Sequence, residues 1–266
     1  MNSAIRPFRV GKRATEVSGL NTVVHDPRKN HLIAKLWPTE HDGWLKHLQA
    51  VVMPVGQVLF ESGVELQHLH FPTTAVVSLT TTLQNGASTT SAVVGRDGVV
   101  GVSAFMGGES SLTGASVLVA GHGFRIRADI LLAEFHRCGI VQHLLLRYTQ
   151  TLLVQMSQTA VCNQHHTMEQ RLSRSLLAKL DRVEGDELIV TQERLALSLG
   201  VRREGVTETL STLARADIVE RSRGRVRVID RATLEQRACE CYGVIKARED
   251  ALNADHGEDV VCSVRA

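Results

Sequence analysis

Hydrophobic and polar positions follow three different rhythms along this chain. Residues 1–30 show no sustained periodicity and read as a mobile tail. Residues 38–50 (PTEHDGWLKHLQA) predict a short helix, with Thr39 as N-cap and Trp44, Leu45 and Leu48 on its apolar face. From Val51 to about Ile130, short runs rich in valine and threonine (VLF at 58–60, AVVSLT at 75–80, SAVV at 91–94, SVLV at 116–119) alternate with glycines. Asn85-Gly86 carries the signal of a tight hairpin with positive φ at both central residues. Many short strands at this spacing predict an antiparallel sandwich or small barrel.

A helical rhythm replaces this one at 129–162, where Leu144, Leu145, Tyr148, Leu152, Met156 and Ala160 recur at threes and fours. The stripe is longer than a small β domain usually covers, so it reads as a seam between two subunits, with Leu145, Tyr148, Leu152 and Met156 at the dimer interface. A helix packed on its own β domain is the alternative. Residues 164–249 mix helix and strand. Leu172, Leu176 and Leu180 mark one helix, 187–190 a short strand, and 192–199 and 203–214 two helices broken at Gly200. Residues 219–229 form a hairpin around Gly224, and Asp230 caps a final helix over 231–249. The expected segments are a tail (1–30), a β domain (31–138), a long helix (139–163), a helix-rich domain (164–236), and a C-terminal helix and tail (237–266).

Composition narrows the choices. With 266 residues, 43% hydrophobic and 22% charged, the chain has the balance of roughly two globular domains and is not a low-complexity or collagen-like protein. The net charge is only +2, so any nucleic-acid signal must be local, and ten aromatic residues are too few for a stacking platform along single strands. Five scattered cysteines (138, 162, 239, 241, 262) do not read as a disulfide scaffold. The sequence has no apolar run long enough for a membrane helix and no apolar leader, so a cytoplasmic location is expected.

The strongest local signal is QERLALSLGVRREGVTETLS at 192–211. Ala196 is small where two helices approach, Gly200 allows positive φ in the turn, and Leu195, Leu199, Val201 and Val206 form the seam. Such a motif presents the start of its second helix, here Arg202, Arg203, Glu204, Thr207 and Glu208, to the major groove of double-stranded DNA. Arginine bonds guanine O6 and N7, and glutamate accepts from cytosine N4. Downstream, Arg221-Ser222-Arg223-Gly224-Arg225-Val226-Arg227 reads as a basic wing. Between 202 and 231 eight arginines face five acids, a local +3 that favours the phosphate backbone. An αα corner beside a solvated arginine run is the plainer reading of each part alone. The order helix, helix, wing points to DNA.

This order of parts resembles the Crp/Fnr superfamily of bacterial transcription regulators. The resemblance spans about residues 31–236 and is carried by EQRLSR (169–174), LIVTQE (188–193), GVRR (200–203) and PVGQVLFESG (54–63). It implies an α+β fold: a jelly-roll-like antiparallel β-roll of the cyclic-nucleotide-binding-domain type, a long dimerisation helix and a winged helix-turn-helix. It also implies a homodimer reading a two-fold symmetric site, with RNA polymerase as a partner if the protein activates. Arg203 and Glu204 match the family's Arg-Glu pair, whereas Glu208 stands where a second arginine is usual, so the half-site should differ. Thr191, Gln192 and Arg202 fall where phosphate contacts are expected, and Arg223 and Arg225 lie in the wing.

The resemblance also locates an effector pocket at Gly101, Val102, Ser103, Gly114 and Ala115. Val102 occupies the place of a ribose-binding glutamate and Gly114-Ala115 that of the phosphate-binding Arg-Ser, so the pocket reads as degenerate and the protein as independent of cyclic nucleotide. A shifted register through Gly108-Glu109 finds its next arginine only at Arg125. The effector, if there is one, is not named by these residues. No cofactor and no metal are expected. Cys162, followed by His165 and His166, together with Cys239 and Cys241 are candidate redox or metal ligands, but thiols without a metal are the plainer reading. In a continuous helix Cys239 and Cys241 would diverge, so chelation would require the helix to break. Two other classes stand against the regulator: a cupin-like metal enzyme on His68 and His70, which lacks the following acid and third histidine, and an interaction protein without DNA binding. No catalytic residues are expected.

Overall fold

The computed structural model describes residues 26–40, 43–108 and 110–254. Residues 1–25 of the expected tail (1–30), Glu109 and Cys262 lie outside them. Chain order begins with a 3-10 turn at Pro27–Lys29, then helix α1 (His31–Glu40) and a second 3-10 turn at Trp44–His47. Seven strands follow: β1 (Gln49–Met53), β2 (Val58–Phe60), β3 (His68–Pro72), β4 (Val76–Thr82), β5 (Ser88–Val94), β6 (Gly114–Val119) and β7 (Gly121–Arg127). Then come α2 (Ala128–Phe135), α3 (Ile140–His165), α4 (Met168–Leu180), β8 (Glu187–Leu188), α5 (Gln192–Leu199), α6 (Arg203–Arg215), β9 (Val219–Ser222), β10 (Arg225–Val228), α7 (Arg231–Arg237) and α8 (Glu240–Ala254).

All strand pairs are antiparallel, in sheets ordered β1-β7-β3 and β2-β6-β4-β5, with a third small sheet β8-β10-β9. The first two enclose a core containing Leu69, Phe71, Val77, Val94, Val117 and Ile126. The β4–β5 connection differs from the predicted tight hairpin. It is a loop over 83–87 closed by Leu83 N–H to Ala87 O, and of the Asn85-Gly86 pair only Gly86 has positive φ (+84°). Asn85 instead accepts the Ala87 N–H with its side chain.

The helix predicted at 38–50 is displaced towards the N-terminus. Asn30 caps α1, its Oδ1 accepting from Leu32 and Ile33 N–H while its Nδ2 donates to the Pro72 and Gly98 carbonyls. The cap is thus buried and held by distant backbone, and it orders the end of the stretch read as a tail. Trp44 and Leu45 are buried from the 3-10 turn, and the chain enters β1 at Gln49.

Helix α3 has 26 residues, about 39 Å at 1.5 Å per residue. The predicted dimer seam is corrected here. Leu145, Tyr148 and Leu152 are buried in the chain's own β-roll core, and Met156 packs half-buried against it. Tyr148 fills the space left by the missing side chain of Gly98. The exposed large apolar residues of α3 are Leu146, Leu153 and Val161, on the opposite side of the helix.

A second core holds Leu172, Leu176, Leu195, Val206, Leu210, Ile218 and Val226, and it takes in Val76, Val93, Leu118 and Val119 from the four-stranded sheet. The C-terminal domain therefore packs on the β-roll. Arg182, just past α4, is buried and pairs with Asp97 at 2.8 Å and Glu249 of α8 at 2.6 Å, so one guanidinium ties the β-roll, α4 and α8 together. The single helix predicted over 231–249 is two helices. The break falls at Ala238 and Cys239, with Ala238 in extended backbone (φ −76°, ψ 160°).

Candidate nucleic-acid interface

Thr191 caps α5 by accepting from Arg194 N–H at 3.3 Å. The helix ends at Gly200, whose left-handed φ of +65° lets the Val201 N–H return to Ala196 O at 3.0 Å. Arg171 donates to the Leu199 carbonyl at 2.6 Å, placing a cation at the negative end of α5. Buried Ala196 lets α6 approach, and α6 turns Val206, Leu210 and Leu213 inward. Arg202, Arg203, Glu204 and Glu208 face solvent from the first turns of α6. Among the described residues none of these four makes an ion pair.

Thr207 is differently placed. Its hydroxyl donates to Gln192 Oε1 at 2.7 Å and lies 3.0 Å from the Arg203 carbonyl, so Thr207 and Gln192 brace α6 against α5. The wing turns at Gly224 (φ +76°), with Val226 and Val228 inward and Arg221, Arg223, Arg225 and Arg227 outward. Arg225 pairs with Glu187 at 3.0 Å and is partly neutralised, whereas Arg221 and Arg223 make no ion pair among the described residues. Thr191, Gln192, Arg203, Arg223 and Arg225 line one cleft of about 280 Å³ between the starts of α5 and α6 and the wing tip.

The effector-pocket residues do not converge. Gly114 and Ala115 line a cleft of about 740 Å³ between the four-stranded sheet and α5, and Gly101, Val102 and Ser103 lie outside its lining. Gly101 has φ +108°, and Val102 packs against the core beside it. That cleft instead contains Arg194, which donates to the Val117 carbonyl at 3.4 Å. Sequence reading missed Arg194 because a solvated α5 position carries no signal of a sheet opposite it.

His68 and His70 sit on β3 with ring centroids 6.5 Å apart, and burial first, then His68, pushes His70 down to about 4. Among the described residues neither belongs to a cluster of three or more metal-ligating side chains. The cluster of three or more found among the described residues is Cys162, His166, Cys239 and Cys241. There the hydrogen bond from Cys239, with Arg174 adding its charge, pulls the Cys162 thiol down to about 5.

Residues 170–237 match the Crp-like helix-turn-helix domain family. No curated protein matches the sequence. Among solved structures, FixK2 from Bradyrhizobium japonicum superimposes with a TM-score of 0.62 at 16% identity, covering 72% of this chain and 98% of its own. A CRP-family transcriptional regulator from Thermus thermophilus gives 0.59 at 20% identity, covering 71% and 96%. The c-di-GMP responsive global regulator CLP of Xanthomonas campestris gives 0.56 at 15% identity, covering 74% and 97%. The shared architecture is that of N-terminal antiparallel sheets, a long helix and a C-terminal helix-turn-helix. Among the described residues no helix is long and apolar enough to cross a membrane.

Proposed function

This chain carries a Crp-like helix-turn-helix domain on a Crp/Fnr-type fold, and from that premise we propose a cytoplasmic, sequence-specific, DNA-binding transcription regulator that acts as a homodimer and has no catalytic role. The observation that carries the reading is the single cleft shared by Thr191, Gln192, Arg203, Arg223 and Arg225. A phosphate in that cleft would meet the N-terminus of α5 and the wing arginines, while the exposed edge of α6 stands free to enter the major groove. Arg203 and Glu204 read bases, with Glu208 beside them. Arg202, Arg223 and Arg225 hold the backbone, and Gln192 and Thr207 fix the angle at which α6 is presented.

The dimer seam follows from what α3 leaves uncovered. Leu146, Leu153 and Ala160 repeat at sevens, with Gln150 and Ser157 between them, and all five are exposed. That stripe, flanked by Val161, is the surface two copies would share. Independence from cyclic nucleotide is supported by the uncharged Gly114-Ala115 pair and by its separation from Gly101, Val102 and Ser103. RNA polymerase is a partner if the regulator activates.

Selection of random duplex DNA by the purified, effector-free protein tests the reading. The expected result is a two-fold symmetric site whose affinity falls steeply with salt. Enrichment of no sequence, with the protein alone or in cell extract, would refute it.

A further inference from the structure

Four soft donors meet where three helices join. Cys162 lies in the last turn of α3, His166 is that helix's C-cap, and Cys239 and Cys241 flank the start of α8. In an unbroken helix, residues 239 and 241 would point about 200° apart. The break after α7 turns both towards Cys162 instead, and the three sulfurs are buried together.

The four ligand atoms all lie within 4.8 Å of one another. Cys162 Sγ is 3.5 Å from Cys239 Sγ, and Cys241 Sγ is 3.7 Å from His166 Nδ1. A tetrahedral zinc ion, with Zn–S of about 2.3 Å and Zn–N of about 2.0–2.1 Å, has S–S edges of about 3.8 Å and S–N edges of about 3.6 Å. These two edges come within about 0.3 Å of that polyhedron.

The surroundings are those of a ligand set. His166 turns Nδ1 to the sulfurs while its Nε2 lies 3.2 Å from Glu240 Oε2, the carboxylate contact that orients a metal-bound imidazole. Three thiolates around a divalent ion leave one net negative charge. The Arg174 guanidinium stands beside Cys162, the residue only 7% exposed, and its Nε has no hydrogen-bond partner among the described residues. A buried cation there offsets that charge.

We propose that Cys162, His166, Cys239 and Cys241 form a Cys₃His site for one zinc ion, which pins the start of α8 to the hinge between α3 and α4. On binding, the three thiol protons leave to solvent and four metal–ligand bonds form, with no change of oxidation state. A disulfide between Cys162 and Cys239 would use two of the four donors and leave Cys241 and His166 without a role. A multi-iron cluster would hold its ligands farther apart than one tetrahedral ion does. Thiolate and imidazole donors in a tetrahedron select zinc. Thr167, which caps α4 with a full capping box, directly follows His166, so the ion would fix the change of direction between the two helices. The effect on DNA pose rests on the regulator reading, and the experiment below does not depend on it.

The full-length chain, reduced and stripped of metal, is titrated with Co²⁺ and then Zn²⁺. The expected result is one Co²⁺ per chain, intense tetrahedral ligand-field bands in the red with thiolate charge transfer in the near ultraviolet, and displacement by one equivalent of Zn²⁺. Cys241→Ser should weaken binding by ~100-fold or more, and Glu240→Gln, at an exposed position, by about 10-fold, since the latter removes only the outer contact. Cys138→Ser and Cys262→Ser should leave the spectrum unchanged. A weak octahedral spectrum overturns the proposal, as does equal loss in Cys138→Ser and Cys241→Ser. So does a Cys162–Cys239 disulfide in protein kept from air. Circular dichroism of each variant separates lost ligation from lost folding, and Glu240→Gln keeps the test open if the cysteine variants fail to fold.

Discussion

Replacing Gly200 by alanine loads the turn between α5 and α6 in two separable ways. The backbone there is left-handed (φ +65°, ψ 37°), which costs a residue with a Cβ about 1–2 kcal/mol. The new Cβ would also stand 2.5 Å from Thr89 Oγ1 and 3.5 Å from Thr89 Cβ on β5. Forcing a methyl into such a wall costs about 1–3 kcal/mol. The first term belongs to the turn alone, and the second exists only because the helix-turn-helix rests on the four-stranded sheet. Thr89→Ala removes the hydroxyl and leaves its Cβ at ordinary van der Waals distance. Gly200→Ala should therefore cost ~2–5 kcal/mol in the wild type but only ~1–2 kcal/mol beside Thr89→Ala. The assay is urea unfolding of the four proteins of the double-mutant cycle, followed by circular dichroism. A coupling energy near zero would show that β5 does not lie against this turn, and the packing of the two domains described above would be wrong.

Four further outcomes follow from the same geometry. Arg203→Ala should weaken specific DNA binding by ~1–3 kcal/mol and relax one base position, as read by selection on the mutant; an unchanged preference removes Arg203 from the readout. Leu153→Glu should yield a folded monomer in sedimentation, whereas Tyr148→Ala should cost ~3–5 kcal/mol of stability because Tyr148 is core; a dimer that survives Leu153→Glu refutes the outer seam. Arg182→Met strands the buried Glu249 and the largely buried Asp97 and should cost ~3–5 kcal/mol in urea unfolding, a loss near zero meaning that the triad does not form. Lys179 is buried, and desolvation first, then Arg174 and Arg182, pushes its ammonium down to about 7. Unfolded, it titrates near ~10.4, so across that window the unfolded chain holds the extra proton and stability rises with pH. Lys179→Met should be more stable than the wild type at and below neutral pH and lack this rise; equal slopes in the two unfolding series would refute the assignment.

What the sequence declared was mostly local. The small Ala196, the left-handed Gly200 and the inward Val206 are all set within a dozen or so residues, and each acts where its chemistry predicts, whereas the capping role of Thr191, read from sequence only as a phosphate contact, emerges from the structure. The stripe on α3 was legible as buried but not as to its cover, because periodicity shows that a face is apolar and not what lies against it. A 26-residue helix has room for a second, sparser stripe, and Leu146 and Leu153 were outnumbered by the core face. The break at Ala238 and Cys239 had no local sign, since RACEC contains neither proline nor glycine. It is fixed by burial of Cys239 and Cys241 against Cys162, a contact 77 residues away in sequence. Asn30 read as tail for the same reason, its amide being held by carbonyls 42 and 68 residues distant.

These long-range contacts share a logic that bears on how recognition helices are posed. The orientation of α6 follows that of α4, because Leu172 and Leu176 share one core with Val206 and Leu210. Two ties then govern α4 relative to α3. At its start, Thr167 follows His166 and the cysteine cluster, and beyond its end Arg182 reaches Asp97 in the β-roll. Helix α8 takes part in both, with Cys241 in its first turn and Glu249 nine residues after Glu240, about 13 Å along the helix. One tie would leave α4 free to swing about it. Two ties that far apart oppose that swing, so in the proposed dimer a change at the outer face of α3 would reach α6 through α4 and α8. Releasing either tie would restore a hinge, and the two differ in what releases them: neutralisation of the Asp97 and Glu249 carboxylates that hold Arg182, and thiol chemistry at Cys162.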